Sequence, residues 1–277
     1  LRVPPFCQDS APEAKMSEDL PDDPWTVPGH GGRTKKIAIA SVIGLLGIVS
    51  IAVASLVWGL PDVTALKNAN PKSTALMDQR LKTAREAGES LSIKQKWVQF
   101  DAIPQMLKDT VRISEDAGFY HHRGIDLGEI RAAVRKSWKE KKPLRGASTI
   151  TQQLAKNLYL SPKRSLWRKI EELLITRRLE AALSKNRIYH LYLNVIEFGP
   201  GIFGVEAAAN AYFGKPVEAL NLEEIVRLVA VIPKPLKSHP LRDDRWMKWR
   251  ARWILDTLKR YRYINAMQHR SQIQNFK

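Results

Sequence analysis

The sequence predicts a mainly α-helical domain behind a single membrane-spanning helix, on three observations. Leu, Ala, Lys, Arg, Glu and Ile recur at helical spacing through most of the chain beyond residue 100, sustained β-branched alternation is scarce, and no charged residue occurs from Ile37 to Leu60. An uncharged stretch of that length, rich in Ile, Val, Leu, Ala and Gly, suffices to cross a hydrocarbon core of roughly 30 Å.

The elements follow in order. Residues 1–36 hold Pro, Asp and Gly without apolar periodicity and read as a disordered cytoplasmic tail, with Met16 a candidate translation start. Residues 37–60 are the expected anchor. Arg33, Lys35 and Lys36 crowd its N-terminal edge while Asp62 comes first beyond it, so the positive-inside tendency leaves the bulk of the chain outside the cytoplasm. A cleaved signal peptide is the competing reading, but its apolar core usually runs about 7–15 residues. Residues 61–90 read as a linker or membrane-proximal region, and residues 91–277 as the domain. Within it, helices are expected near 103–113, 126–140, 149–160, 164–183, 185–195, 203–212, 221–231 and 244–260, with a short strand near Trp97–Phe100.

Charge narrows the partners. The net charge is +17 and the pI about 10.0. Residues beyond Leu60 carry 40 Lys and Arg against 22 Asp and Glu, so the excess lies on the exported side, away from nucleic acid. Anionic lipid headgroups or a lipid-linked phosphate suit such a domain better. Residues 131–145 concentrate Arg131, Arg135, Lys136, Lys139, Lys141, Lys142 and Arg145 around Trp138, an amphipathic basic element fit to rest on an anionic membrane or to stand as a solvated basic loop. The single cysteine, Cys7, precedes the anchor, so the domain folds without disulfides.

Four blocks carry chemistry. Gly146 to Asn157 packs Ser148, Thr149, Gln152, Gln153, Lys156 and Asn157 around a helix start where Thr149 and Gln152 have capping-box spacing, and the first-turn N–H groups read as open to an anion. Ile150, Leu154 and Leu158 fall on its apolar face. In Ser114 to Asp126, Glu115 and Asp116 lie beside Phe119, Tyr120, His121 and His122; a carboxylate partly buried by Phe119 and Tyr120 could act as a general base, whereas the plain alternative is a helix start stabilised by acids. His122 and Asp126 alone are too few for a metal site. Arg164 to Glu172 opens a helix expected to turn Leu166, Ile170, Leu173 and Leu174 inward and to project Arg168, Lys169 and Glu172 together, either as intrahelical ion pairs or as a diphosphate clamp. Lys185 to Asn194 and the Gly-rich run from Phe198 to Ala209 read as scaffold.

Together these blocks resemble the peptidoglycan glycosyltransferase family, whose members also form the N-terminal module of bifunctional penicillin-binding proteins. The resemblance rests on E-D-x-x-F-x-x-H-x-G-x-D at Glu115 to Asp126, G-x-S-T-I-T-Q-Q at Gly146 to Gln153, R-K-x-x-E at Arg168 to Glu172 and Y-L-N…F-G at Tyr192 to Gly199, and extends from about Trp97 to Pro235. It implies a lysozyme-like helical domain with a small membrane-facing jaw that includes residues 127–145, and polymerisation of lipid II into a β-1,4 glycan with inversion and release of undecaprenyl diphosphate. It casts Glu115 as general base and Glu172 as the second essential carboxylate. Lys156, Arg164, Arg168 and Lys169 would hold the diphosphate, with Ser148, Thr149, Gln152, Gln153 and Asn157 adding hydrogen bonds. Mg2+ or Mn2+ could bridge that diphosphate, although the residues offer no dedicated metal cage.

The expected partners are lipid II, the growing strand and membrane lipids, with cell-division or elongation proteins as candidates, and the expected location is the inner membrane. Too few residues follow Pro235 for a transpeptidase, so a monofunctional enzyme is expected. Arg227 departs from the family's apolar helix there and reads as a membrane or partner contact, or as a tolerated surface change. A membrane-anchored muramidase and an inactive precursor-binding protein are the rival readings; the first needs no diphosphate clamp, and intact Glu115 and Glu172 weigh against the second.

Overall fold

The computed structural model describes residues 39–47, 50, 58–141, 148–161 and 165–277. The chain divides into two units, Leu1–Ala54 and Ser55–Lys277. In the first, residues 39–47 and 50 are helical and exposed. Among the described residues no helix is long and apolar enough to cross a membrane; residues 37, 38, 48, 49 and 51–57 of the expected anchor, like the N-terminal tail, lie outside them.

The second unit is mainly helical. In chain order its helices are α1 (Ala75–Glu86), α2 (Gln105–Glu115), α3 (Leu127–Glu140), α4 (Ile150–Tyr159), α5 (Leu166–Ala182), α6 (Lys185–Val195), α7 (Val205–Phe213), α8 (Leu222–Val231), α9 (Arg245–Arg260) and α10 (Ala266–Gln274). Helix α4 is the hub: Ile150 and Leu154 are fully buried, and α1, α5 and α6 pack around it. A second layer joins α2, α8 and α9, and α10 closes on α9.

Eight helices match their sequence expectations within about two residues, and six of them begin at a side-chain cap. Asp126, Thr149, Ser165, Ser184, Asn221 and Asp244 each accept a hydrogen bond from the third backbone N–H of the helix they precede.

Four expectations are corrected. The stretch read as linker contains α1, capped by Thr74; Met77 is buried against the core, and Arg80 grips the buried Glu197 with two 2.8 Å hydrogen bonds. Helix α10 went unread despite the Asn265–Gln268 capping box at its start. The strand expected at Trp97–Phe100 forms instead at β1 (Lys94–Gln95), the outer member of a small sheet with β2 (Glu197–Gly199) and β3 (Ile202–Phe203) in the order β1-β3-β2. Strand β1 runs parallel to β3 with Lys94 opposite Ile202, and β2 runs antiparallel to it. Trp97–Phe100 has no strand partner because the Asn194 side chain takes its place, accepting from Val98 N at 2.9 Å and donating to Val98 O at 3.2 Å.

The fourth correction concerns α5. Leu166 and Ile170 face solvent, Leu166 being 88% exposed, and the buried side chains are Glu172, Ile175, Thr176 and Leu179. The first turns of α5 therefore reach past the core, and a carboxylate meets α4 where leucines were expected. Arg227 is an internal tie: it pairs with Glu223 at 2.8 Å and Asp243 at 2.7 Å and lies over the Phe276 ring.

Candidate active site

Glu115 is the last residue of α2, where the helix carbonyls disfavour negative charge. Its carboxylate sits among three elements. Gln153 Nε2 on α4 donates to Oε2 at 3.2 Å, and Arg250 on α9 donates to Oε1 at 3.2 Å. Burial pushes the Glu115 pKa up, and the Arg250 charge and the hydrogen bonds from Gln153, Ser114 and Arg250 only partly oppose it. The surrounding groups come from α4 and α9 and not, as expected, from Phe119 and Tyr120. The Phe119 ring packs on Tyr189 and Tyr120, and the Tyr120 hydroxyl reaches Asn186.

Gln153 is itself oriented. The Tyr192 hydroxyl donates to Gln153 Oε1 at 3.0 Å, which turns the amide nitrogen toward Glu115. Burial holds the Tyr192 pKa well above its ordinary value, so this donor stays protonated. Sequence reasoning assigned Tyr192 to scaffold and gave Arg250 no role. A basic residue on an amphipathic helix carries no local sign that it points inward.

Asp116 has a structural task. Its Oδ2 accepts from Ile150 N at 3.0 Å, capping α4, and both oxygens lie within 3.1 Å of His122 Nε2. The α4 N-terminus read as an open anion cradle is thus occupied. Gln152 N donates to Thr149 Oγ1, Thr149 N donates to Gln152 Oε1, and Thr149 Oγ1 donates to Gly124 O at 2.7 Å. Thr149 and Gln152 are buried and engaged in this cap. Gly124 fits here because it has φ +84°, and a Cβ would stand 2.6 Å from Thr176 Cγ2.

Asp116, His122 and Asp126 bring three potential ligand atoms within 4.8 Å of one another. They fit a metal poorly. Gly124 N donates to His122 Nδ1 at 3.2 Å, so Nε2 carries the proton and donates to Asp116 instead of offering a lone pair.

The cations gather in a cleft of about 470 Å³ between α1, α4 and α5. Lys156, Asn157, Arg168, Lys169 and Glu172 line it together with Ser148. Glu172 is only 4% exposed and pairs with Arg168 at 3.2 Å and with Lys169 at the wall of the cleft. Lys156 opens to solvent at the cleft, yet the protein around it lowers its pKa; loss of hydration is the largest cause, and Arg168 and Lys169 add to it against Glu172 and Glu115. The Arg168 Nε–H is buried without a partner, a donor left for an anion. No acid but Glu172 lines the cleft, and it is committed to two cations, so the described residues make no cage for Mg2+ or Mn2+. Arg164 lies outside the described residues.

The two halves adjoin. A cavity of about 240 Å³ holds Glu115, Asp116, Thr149 and Trp253, and Ser148 lines both this cavity and the cation cleft. Residues 82–259 match the family model described as transglycosylase. The chain belongs to the transglycosylase family. This transglycosylase is 41% identical over 218 residues to a biosynthetic peptidoglycan transglycosylase of Methylobacillus flagellatus, covering 79% of the chain and 95% of that protein. It is 40% identical over 214 residues to the one from Nitrosomonas eutropha, covering 77% and 88%. With that of Azoarcus sp. it shares 42% identity over 193 residues, covering 70% and 84%. The matched span of this transglycosylase takes in the site and α9 as far as Lys259, so Arg250 lies within it.

Proposed function

We propose that this transglycosylase polymerises lipid II into β-1,4 glycan strands, with Glu115 as general base and the α4–α5 cations as the diphosphate site. The observation that carries this reading is the pair of adjoining compartments, a buried carboxylate on one side of Ser148 and a cation cleft on the other. The Glu115 carboxylate takes the proton from the acceptor 4-hydroxyl as its oxygen bonds to the donor anomeric carbon from the face opposite the leaving group, and the anomeric configuration inverts. The anomeric C–O bond to the diphosphate breaks, and the leaving anion is neutralised by Lys156, Arg168 and Lys169. Raising the Glu115 pKa strengthens it as a base, and Gln153 and Arg250 keep its oxygens aimed.

The finer architecture belongs to the same reading: a lysozyme-like domain with a jaw around residues 127–145, anchored by residues 37–60 in the inner membrane. Helix α3 buries no residue, and Leu127, Val134 and Trp138 are exposed along it beside Arg131, Arg135 and Lys139. Leu166, Trp167 and Ile170 add exposed apolar surface on the first turns of α5, beside Arg168 and Lys169 in sequence. Such surface, flanked by cations, suits contact with anionic lipid.

Incubation of the purified protein with lipid II tests the reading. Glycan together with released undecaprenyl diphosphate is the expected result. Binding without turnover would favour a precursor-binding protein, and cleavage of preformed glycan would favour a muramidase.

A further inference from the structure

Helix α9 shows one face that core packing does not explain. Its buried side is Met247, Ala251, Ile254, Leu255 and Leu258. On the flank beside it stand Trp246, Trp249 and Trp253 at i, i+3 and i+7, and Trp249 is 52% exposed. Trp253 lines the cavity that holds Glu115, with Thr257 and Arg260 continuing the stripe along its wall. At the other end, Arg245, Trp246 and Trp249 border an open depression of about 460 Å³.

The three indoles are held rather than loose. Lys234 Nζ lies 3.5 Å from the Trp246 ring centre, and the Trp246 and Trp249 rings meet at 5.1 Å with a 43° tilt. Arg250, the partner of Glu115, stacks on Trp253 at 4.3 Å. The Trp246 Nε1–H is buried without a hydrogen-bond partner. Seven residues of helix carry the stripe about 10 Å beyond the reaction cavity. Fixed, half-open aromatic faces complement pyranose rings, which offer an apolar C–H face to stack on them.

We propose that Trp253, Trp249 and Trp246 form a track that holds the growing glycan strand, with Trp249 as its open platform. The proposal rests on the glycosyl-transfer reading above and extends it. Ser148, which lines both the cation cleft and the Glu115 cavity, joins the first two stations of the path, and the spacing along α9 sets the rest: Trp253 in the cavity, then Trp249 and Trp246. A strand whose terminal diphosphate sits in the cation cleft passes its first sugar by Ser148 and lays the older sugars along α9. The strand is the ligand long enough to use an open-ended stripe that starts in the reaction cavity.

The test compares the glycan lengths made from lipid II by the wild-type full chain, Trp249→Ala and Trp249→Phe. Loss of one stacking platform corresponds to roughly a three- to tenfold weaker hold, so Trp249→Ala is expected to shorten the mean product by about that factor, and Trp249→Phe to restore most of it. Equal lengths for wild type and Trp249→Ala, with the wild type active, overturn the track alone. No glycan from the wild type overturns the glycosyl-transfer reading and the track with it. The same variants in vesicles containing brominated phosphatidylglycerol separate sugar from lipid. If Trp249→Ala also removes a share of the fluorescence quenching by bromine, the stripe is a membrane contact and the proposal fails.

Discussion

At the residue scale, the site turns on how Glu115 is surrounded. Burial raises its pKa and Arg250 pulls it back, so the competent carboxylate form is present above that pKa and is lost as pH falls through it. Arg250→Gln removes the opposing charge while keeping an amide donor. It is expected to move the acid limb of the kcat/KM profile to higher pH, and an unmoved limb would show that Arg250 does not act on the base. Glu115 stood out as a candidate because two acids followed at fixed spacing by Phe, His, Gly and Asp form a family pattern. Arg250 and Tyr192 were not, since their contacts join residues 135 positions apart, Arg250 to Glu115, and 39 apart, Tyr192 to Gln153. Periodicity within one helix says nothing about such pairs.

At the element scale, one acid ties three pieces of chain together. Asp116 caps α4 and fixes His122, so Glu115, the proposed base on α2, and the polar face of α4 are held in register by the residue next to Glu115. Asp116→Ala leaves the buried Ile150 N–H unpaired, at a cost of about 1–3 kcal/mol. In a domain of this size each kcal/mol lowers Tm by about 2–4 °C, and Asp116→Asn, which keeps an acceptor, should lose clearly less. Equal melting temperatures for wild type and Asp116→Ala would contradict the clamp. Helix positions were readable from caps and apolar stripes, but which face of α5 turns inward was not. Leu166 and Ile170 continue the stripe of Leu173 and Leu174 in sequence, and only the end of the core beneath α5 leaves the first two exposed. The α1 helix was masked for a related reason: Pro, Asn, Ser and Thr fill the stretch before it, and its burial is limited to Met77 and Ala84.

At the scale of the whole molecule, a net charge of +17 and exposed apolar side chains on α3 and α5 fit the proposed work at an anionic surface. In vesicles holding the full chain, brominated lipid should quench part of the Trp fluorescence, and Trp138→Phe combined with Trp167→Phe should remove a measurable share of that quenching. Unchanged quenching would place α3 and α5 away from the bilayer. Charge and motif order made the functional class readable in advance. The joining of the two compartments at Ser148 was not, because it depends on how α2, α4, α5 and α9 converge. That convergence is the centre of the account, and the rate of lipid II polymerisation by Glu115→Gln tests it most directly. With the fold intact by circular dichroism, the variant should lose roughly 10²–10⁴-fold in rate, the range a general base supplies. A rate close to that of the wild type would contradict the account.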